Sequence, residues 1–142
     1  MNRTAIVYPA IAMFFLTATL IARMAYLRIR AVQRGEISVR YFRLYNEGEQ
    51  PDALQLIGRH VQNHFEVPPL FHAIVLFLYV TESVTPLAVG LAWGYVGLRC
   101  VHSAVHLGGN DVRRRLQVWA TSLAVLTGLW LVLLFSLLSG GH

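Results

Sequence analysis

The stretch VPPLFHAIVLFLYVTESVTPLAVGLAWGYVGLRCVHSAVHL, residues 67–107, decides the fold class. Its first part, 67–84, is apolar except for His72 and, near the end, Glu82. Its second part, 85–107, is apolar apart from Arg99, His102 and His106. A short turn near Glu82 to Pro86, without a basic residue, joins the two. A membrane's hydrocarbon core of about 30 Å needs about 20 apolar residues in helical form. Each part reaches that length, or nearly so with its flanks. Backbone groups cannot stay unpaired in lipid, so uninterrupted runs of this kind are helices. The stretch therefore predicts two antiparallel spans.

Working outward, two more runs have the same character. Residues 4–22 carry no charge and end at Arg23, and residues 116–138 carry none while including Trp119 and Trp130. Composition agrees: of 142 residues 56% are hydrophobic and 13% charged, and the mean hydropathy is +0.52. An average soluble domain has about 25% charged residues. Disorder, a disulfide-stapled secreted module and most water-soluble enzymes are thereby excluded. One cysteine, Cys100, permits no internal disulfide, and an apolar span suits it as a small packing residue. The first run reads as a retained helix, because Arg23, Arg28 and Arg30 stand where a signal peptide would need small residues for cleavage. The expectation is one all-α domain over 1–142, an integral membrane four-helix bundle with spans at about 4–22, 67–84, 85–107 and 116–138.

The net charge of +5 is the balance of twelve arginines, with no lysine, against seven acidic residues. Ten of them lie in two connections: seven in the long loop 23–66 and three, Arg113, Arg114 and Arg115, between the last two runs. That clustering is a positive-inside signal rather than a nucleic-acid footprint. It predicts loops one and three in the cytoplasm and both termini on the opposite side, with Arg3 dissenting. Within the long loop, Tyr45 to Gln50 is polar and turn-rich. Pro51 then suits the first position of a helix and Asp52 its dipole. That helix is expected to start in the cytoplasm, enter the membrane near Glu66 and bend at Pro68 and Pro69.

Two polar groups stand at the membrane edge. Arg59, Asn63 and Glu66, at i, i+4 and i+7, share one helical stripe. The stripe can grip a zwitterionic ligand, or close on itself as an Arg–Glu salt bridge. Arg99, His102 and His106, at i, i+3 and i+7, share a face of the third span. An ionisable residue inside a span costs several kcal/mol unless paired or wetted (about 2.5–3.5 on insertion scales), so it marks a functional candidate. The structural alternative is an Arg99 that snorkels or pairs with Glu66, with the histidines as interhelical polar contacts. The triplet Arg113–Arg115 opposes the dipole of the helix it opens and calls for an anion or acidic lipid. The i, i+4 pairs His60/His64 and His102/His106 have metal or haem spacing. His60 and His64, however, lie about 100–140° around the helix from Arg59, and solvated histidines ahead of a span are the expectation there. No metal is expected.

Arg59-x3-Asn63-x2-Glu66-x-Pro68, at the entry to the second span, resembles the signature of the MAPEG family, the membrane-associated proteins in eicosanoid and glutathione metabolism. The likeness extends to Arg99-x2-His102-x3-His106, to the short turn after it and to Arg113, and it covers essentially the whole chain. It implies a homotrimer of four-helix subunits with glutathione between neighbours, near the cytoplasmic helix ends. It further implies that Arg59, Asn63 and Glu66 hold the peptide, with Arg99, His102 and His106 beside it. Arg23, Arg28 or Arg30 would join them from the first span. Arg113 resembles the arginine that stabilises the glutathione thiolate. A thiol of pKa about 8.5 is mostly protonated at neutral pH, and a nearby guanidinium favours the nucleophilic form. Lipid would deliver an apolar electrophile or hydroperoxide. Val67, His102 and His106 depart from the family pattern, since relatives often place aromatic residues there. The implied activity is a glutathione-dependent transferase or peroxidase. The alternative is a non-catalytic accessory or structural subunit of a larger membrane complex.

Overall fold

A computed structural model describes residues 2–44 and 50–140, so the turn-rich 45–49 lie outside the described residues. All elements described are helical: a 3-10 turn at Arg3–Ile6, α1 (Val7–Gln33), α2 (Tyr41–Leu44), α3 (Asp52–Glu66), α4 (Pro68–Val80), α5 (Pro86–Leu107) and α6 (Val112–Leu138).

Two of these helices are long and apolar enough to cross a membrane by length and composition. They are the N-terminal run Arg3–Gln33, with mean hydropathy 2.1, and Val112–Leu138, with 2.2. The first does not stop at Arg23 as the charge pattern suggests. It continues to Gln33 through Arg23, Arg28 and Arg30. Arginine is a good helix former, so a charge that ends an apolar run need not end a helix. Between α3 and α4 the break falls at Val67, with Pro68 and Pro69 opening the next helix. Proline disfavours α geometry in the residue before it and lacks the N–H an interior position would use.

An apolar core holds the end of the molecule where the chain begins. Ile6 and Met13, Phe71, Ile74 and Leu78 of α4, Ala88, Ala92 and Tyr95 of α5, and Leu126 and Leu129 of α6 are all sealed there. The Phe71 and Tyr95 rings stack with centroids 4.5 Å apart. Alanines on α5 let its backbone approach neighbours closely, the usual interface chemistry of helices without a hydrophobic drive between them. Further along, Leu20 of α1 packs on Ile57 and Val61 of α3. That contact lays α3 beside α1 and α5 and turns one of its faces inward. The α5–α6 connection is tight. A Cβ at Gly108 would meet the Ala104 carbonyl oxygen at 2.8 Å, so the chain needs glycine there. Asn110 takes the left-handed conformation, φ 46°, which asparagine tolerates better than most residues.

Asp111 caps α6, accepting hydrogen bonds from the backbone N–H groups of Arg113 (3.0 Å) and Arg114 (3.2 Å). Its carboxylate also lies 3.4 Å from the Arg114 guanidinium. The anion that three arginines at a helix N-terminus call for is thus partly supplied by the chain itself.

Candidate functional site

Near the C-terminal end of α5, a cleft of about 500 Å³ opens between α3, α5 and α6. Arg59, Gln62, Asn63 and Glu66 line it from α3, His102 and His106 from α5, and Arg115, Leu116 and Trp119 from α6. Five of the residues singled out by spacing, Arg59, Asn63, Glu66, His102 and His106, thus meet around one cleft. Their helical stripes explain it: i, i+4 and i+7 on α3 face i and i+4 on α5. Among the described residues no ion pair joins Arg59 to Glu66. Glu66 instead accepts a hydrogen bond from Gln62 at 3.3 Å. Arg59 and Glu66 are exposed, so both charges are available to a ligand.

Arg99 lies behind this wall. It is fully buried and donates from Nη2 to Asn63 Oδ1 at 2.6 Å. It neither snorkels nor reaches Glu66. Its Nε and Nη1, and the nearby Tyr95 hydroxyl, are sealed without a hydrogen-bond partner among the described residues. Burying a cation with part of its donor set unsatisfied is costly.

Arg113 is exposed and absent from the cleft lining, whereas Arg115 is part of it. Two residues along a helix is a turn of about 200°, so the two side chains leave α6 on nearly opposite sides. Arg115 donates to Asn110 Oδ1 at 2.9 Å and approaches His106 Nε2 at 3.4 Å. Asn110 and its left-handed backbone therefore hold this guanidinium at the cleft. The family resemblance had pointed to Arg113; the available signal for Arg115 was an asparagine five residues earlier in a tight turn. The first-helix arginines do not line this cleft. Arg23 borders a separate groove with Ser103 and Leu107, Arg28 lies over the Phe42 ring and Arg30 lies over Tyr26. Cys100 is exposed rather than packed.

The expectation of solvated histidines on α3 is corrected. His60 and His64 face away from Arg59, but they face the core rather than water, with 0% and 2% exposure. The two i, i+4 pairs meet: the His60 ring centroid lies 4.9 Å from that of His64, 5.6 Å from that of His102 and 4.6 Å from that of His106. His64 Nδ1 shares a hydrogen bond with Thr17 Oγ1 of α1 at 3.1 Å. Burial first, then the surrounding imidazoles, lowers the His60 pKa from 6.5 to about 3. Burial and then Arg99 lower that of His64 to about 3. Both rings are therefore neutral at physiological pH.

The hydrogen bonds here have one consistent direction. Ser103 Oγ donates to the Arg99 carbonyl at 2.9 Å, so it must accept from His60 Nε2–H, also at 2.9 Å. Neutral His60 then presents a bare Nδ1, which accepts from His106 Nδ1–H at 3.0 Å. His106 in turn presents a bare Nε2 towards Arg115. The tautomers follow from the partners rather than from observed hydrogens.

No curated protein and no solved structure matches this chain. The sequence profile of the MAPEG family matches residues 6–135, nearly the whole length. Together with the all-helical architecture and its two long apolar helices, that match identifies the chain as a member of the MAPEG family.

Proposed function

We propose that the protein is a glutathione-dependent transferase or peroxidase acting on an apolar substrate dissolved in the membrane. The observation that carries this reading is the cleft in which Arg59, Asn63 and Glu66 face Arg115. Two guanidiniums and one carboxylate complement a peptide that carries carboxylates, one ammonium and a thiol. Glu66 meets the ammonium, Arg59 and Asn63 meet carboxylate and amide groups, and Arg115 lies where it can favour the thiolate. In the transferase direction the thiolate sulfur forms a bond to an electrophilic carbon, whose displaced electron pair leaves with the leaving group or moves onto the acceptor. In the peroxidase direction the thiolate attacks a peroxide oxygen and the O–O bond breaks, giving a sulfenic acid and, with one proton from water, an alcohol. A second glutathione then converts the sulfenic acid to disulfide and water.

The proposal includes four membrane spans, with α3 in the cytoplasm and α4 as the second span. The runs at 4–22, 67–84, 85–107 and 116–138 form one domain, and both termini face away from the cytoplasm. Large apolar side chains on outward faces, including Phe14, Phe15, Leu76, Phe77, Leu134 and Phe135, support lipid or subunit contact there. The cleft is open to one side, which suits a homotrimer in which a neighbour closes it. Arg113 and one of Arg23, Arg28 or Arg30 would then be available to a neighbour's site rather than to the cleft of their own subunit.

An accessory role in a larger membrane complex has one observation in its favour. Asn63 and Arg99 are already committed to each other, which removes one expected donor from the cleft. Calorimetric titration of the detergent-solubilised protein with glutathione separates the two readings. Binding heat in the wild type, with affinity lowered about tenfold or more in Arg59→Ala and in Glu66→Ala, is the result expected of the enzyme. A folded wild type without binding leaves the accessory role.

A further inference from the structure

We propose that His60, His102 and His106 form a binding site for a late first-row transition-metal ion, reached from the cleft. Each of the three offers one ring nitrogen, and these atoms all lie within 4.8 Å of one another. A tetrahedral ion with nitrogen ligands at about 2.0–2.1 Å holds those nitrogens about 3.3–3.4 Å apart. The Nδ1 atoms of His60 and His106 are 3.0 Å apart already, so the remaining adjustment is a side-chain movement of at most about 1.4 Å. All three rings are buried, at 5% exposure or less.

Three further observations favour a ligand over packing alone. His60 is held from behind: its Nε2–H donates to Ser103 Oγ, which is itself fixed to a backbone carbonyl. That is how ligating histidines are commonly oriented, with the second nitrogen tied and the first left bare. His102 Nδ1 and His64 Nε2 are sealed from solvent and lack a hydrogen-bond partner among the described residues. Buried imidazole nitrogens are normally satisfied. Finally, His102 and His106 line the cleft and the buried His60 ring packs against both, so an ion and an exchangeable fourth ligand have a way in. On binding, the ion takes the place of the hydrogen between the two Nδ1 atoms. That hydrogen moves to His106 Nε2 on the cleft side, Arg115 turns from that nitrogen while keeping its bond to Asn110, and the net protonation of the two rings is unchanged.

The surroundings select the ion. The site holds neutral imidazoles and no carboxylate, with Arg99 and Arg115 close by. Hard, oxygen-seeking Mg²⁺ and Ca²⁺ are poorly matched to imidazole ligands. Zn²⁺, Co²⁺ or Cu⁺ accept such ligands, and the local positive charge favours an anion in the fourth position. A thiolate is the soft anion that fits. This last step rests on the glutathione reading, whereas coordination by the three histidines does not.

The test uses untagged, full-length protein in detergent, stripped with chelator and titrated with Co²⁺. The expected result is about one Co²⁺ per chain with the intense visible bands of a tetrahedral site. Binding should be at least tenfold weaker in His60→Gln, His102→Gln and His106→Gln, and unchanged in His72→Gln, whose histidine is exposed on α4. Wild-type protein without such bands overturns the proposal even where a variant fails to fold. Equal binding by His60→Gln overturns it too. Glutathione is then added to both forms. A sulfur-to-metal charge-transfer band supports a thiolate ligand, and its absence removes that ligand while leaving the histidine site. Glutathione heat in protein that binds no Co²⁺ leaves the glutathione reading standing and the metal site refuted. Co²⁺ binding without glutathione heat does the reverse.

Discussion

Helix α3 has two polar faces, and they have opposite fates. Arg59, Gln62, Asn63 and Glu66 open onto the cleft, while His60 and His64, one residue on from Arg59 and Asn63, are sealed against α1 and α5. The residues are similar in polarity, and both sets repeat at helical spacing. What separates them is the neighbour. Leu20 packs on Ile57 and Val61, which rotates the histidine face inward and leaves the arginine face at the edge. A polar side chain on a helix is thus assigned to ligand or to core by apolar contacts a turn away.

The contrast can be broken in order of expected size. Ile57→Ala removes the apolar contact that turns the helix, at 1% exposure. It should lower stability by about 3 kcal/mol, as large-to-small core changes do, measured by thermal unfolding in detergent. A loss below about 1 kcal/mol would mean that this contact does not set the rotation. Arg115→Ala should reduce glutathione turnover about a hundredfold, or about 2.7 kcal/mol, with loss of the thiolate's ultraviolet absorbance. Arg113→Ala should lower both by much less, because Arg113 is absent from the cleft that Arg115 lines. The opposite ranking would move the thiolate to the other side of α6, at a subunit interface.

A smaller effect is expected from the open face. Arg59→Ala should weaken glutathione about tenfold, or about 1.4 kcal/mol, and shift stability by about 0.5 kcal/mol or less, as exposed changes do. Unfolding as severe as that of Ile57→Ala would erase the distinction between the two faces. Smallest is Thr17→Val, which removes the partner of His64 Nδ1. It should cost about 1 kcal/mol in the same unfolding measurement and leave the calorimetric affinity for glutathione unchanged.

Much of this is legible in the sequence. The apolar runs, the break ahead of Pro68 and the stripe Arg59–Asn63–Glu66 follow from local chemistry and from 100° per residue. The placement of α1 was not fully legible: Arg23 ends an apolar run, but hydrogen bonding carries the helix on to Gln33. Arg115 was missed because α6 presents three consecutive arginines, and periodicity cannot say which of them faces a partner. The histidine cluster was missed for a related reason. Each pair was visible, but the two belong to helices more than forty residues apart in sequence.

Composition, spacing and proline positions by themselves determined that this chain is helical and apolar with a thin polar layer, and the residues of that layer carry its resemblance to the MAPEG family. Each of those properties depends on near neighbours along the chain, where periodicity and backbone restriction act. Only the tertiary structure decided that His60 meets His106, that Arg99 is sealed on Asn63 and that Arg115 rather than Arg113 reaches the cleft. Those outcomes depend on how α3, α5 and α6 are rotated about their axes. Rotation is set by the packing of apolar side chains between helices, which no single helix encodes.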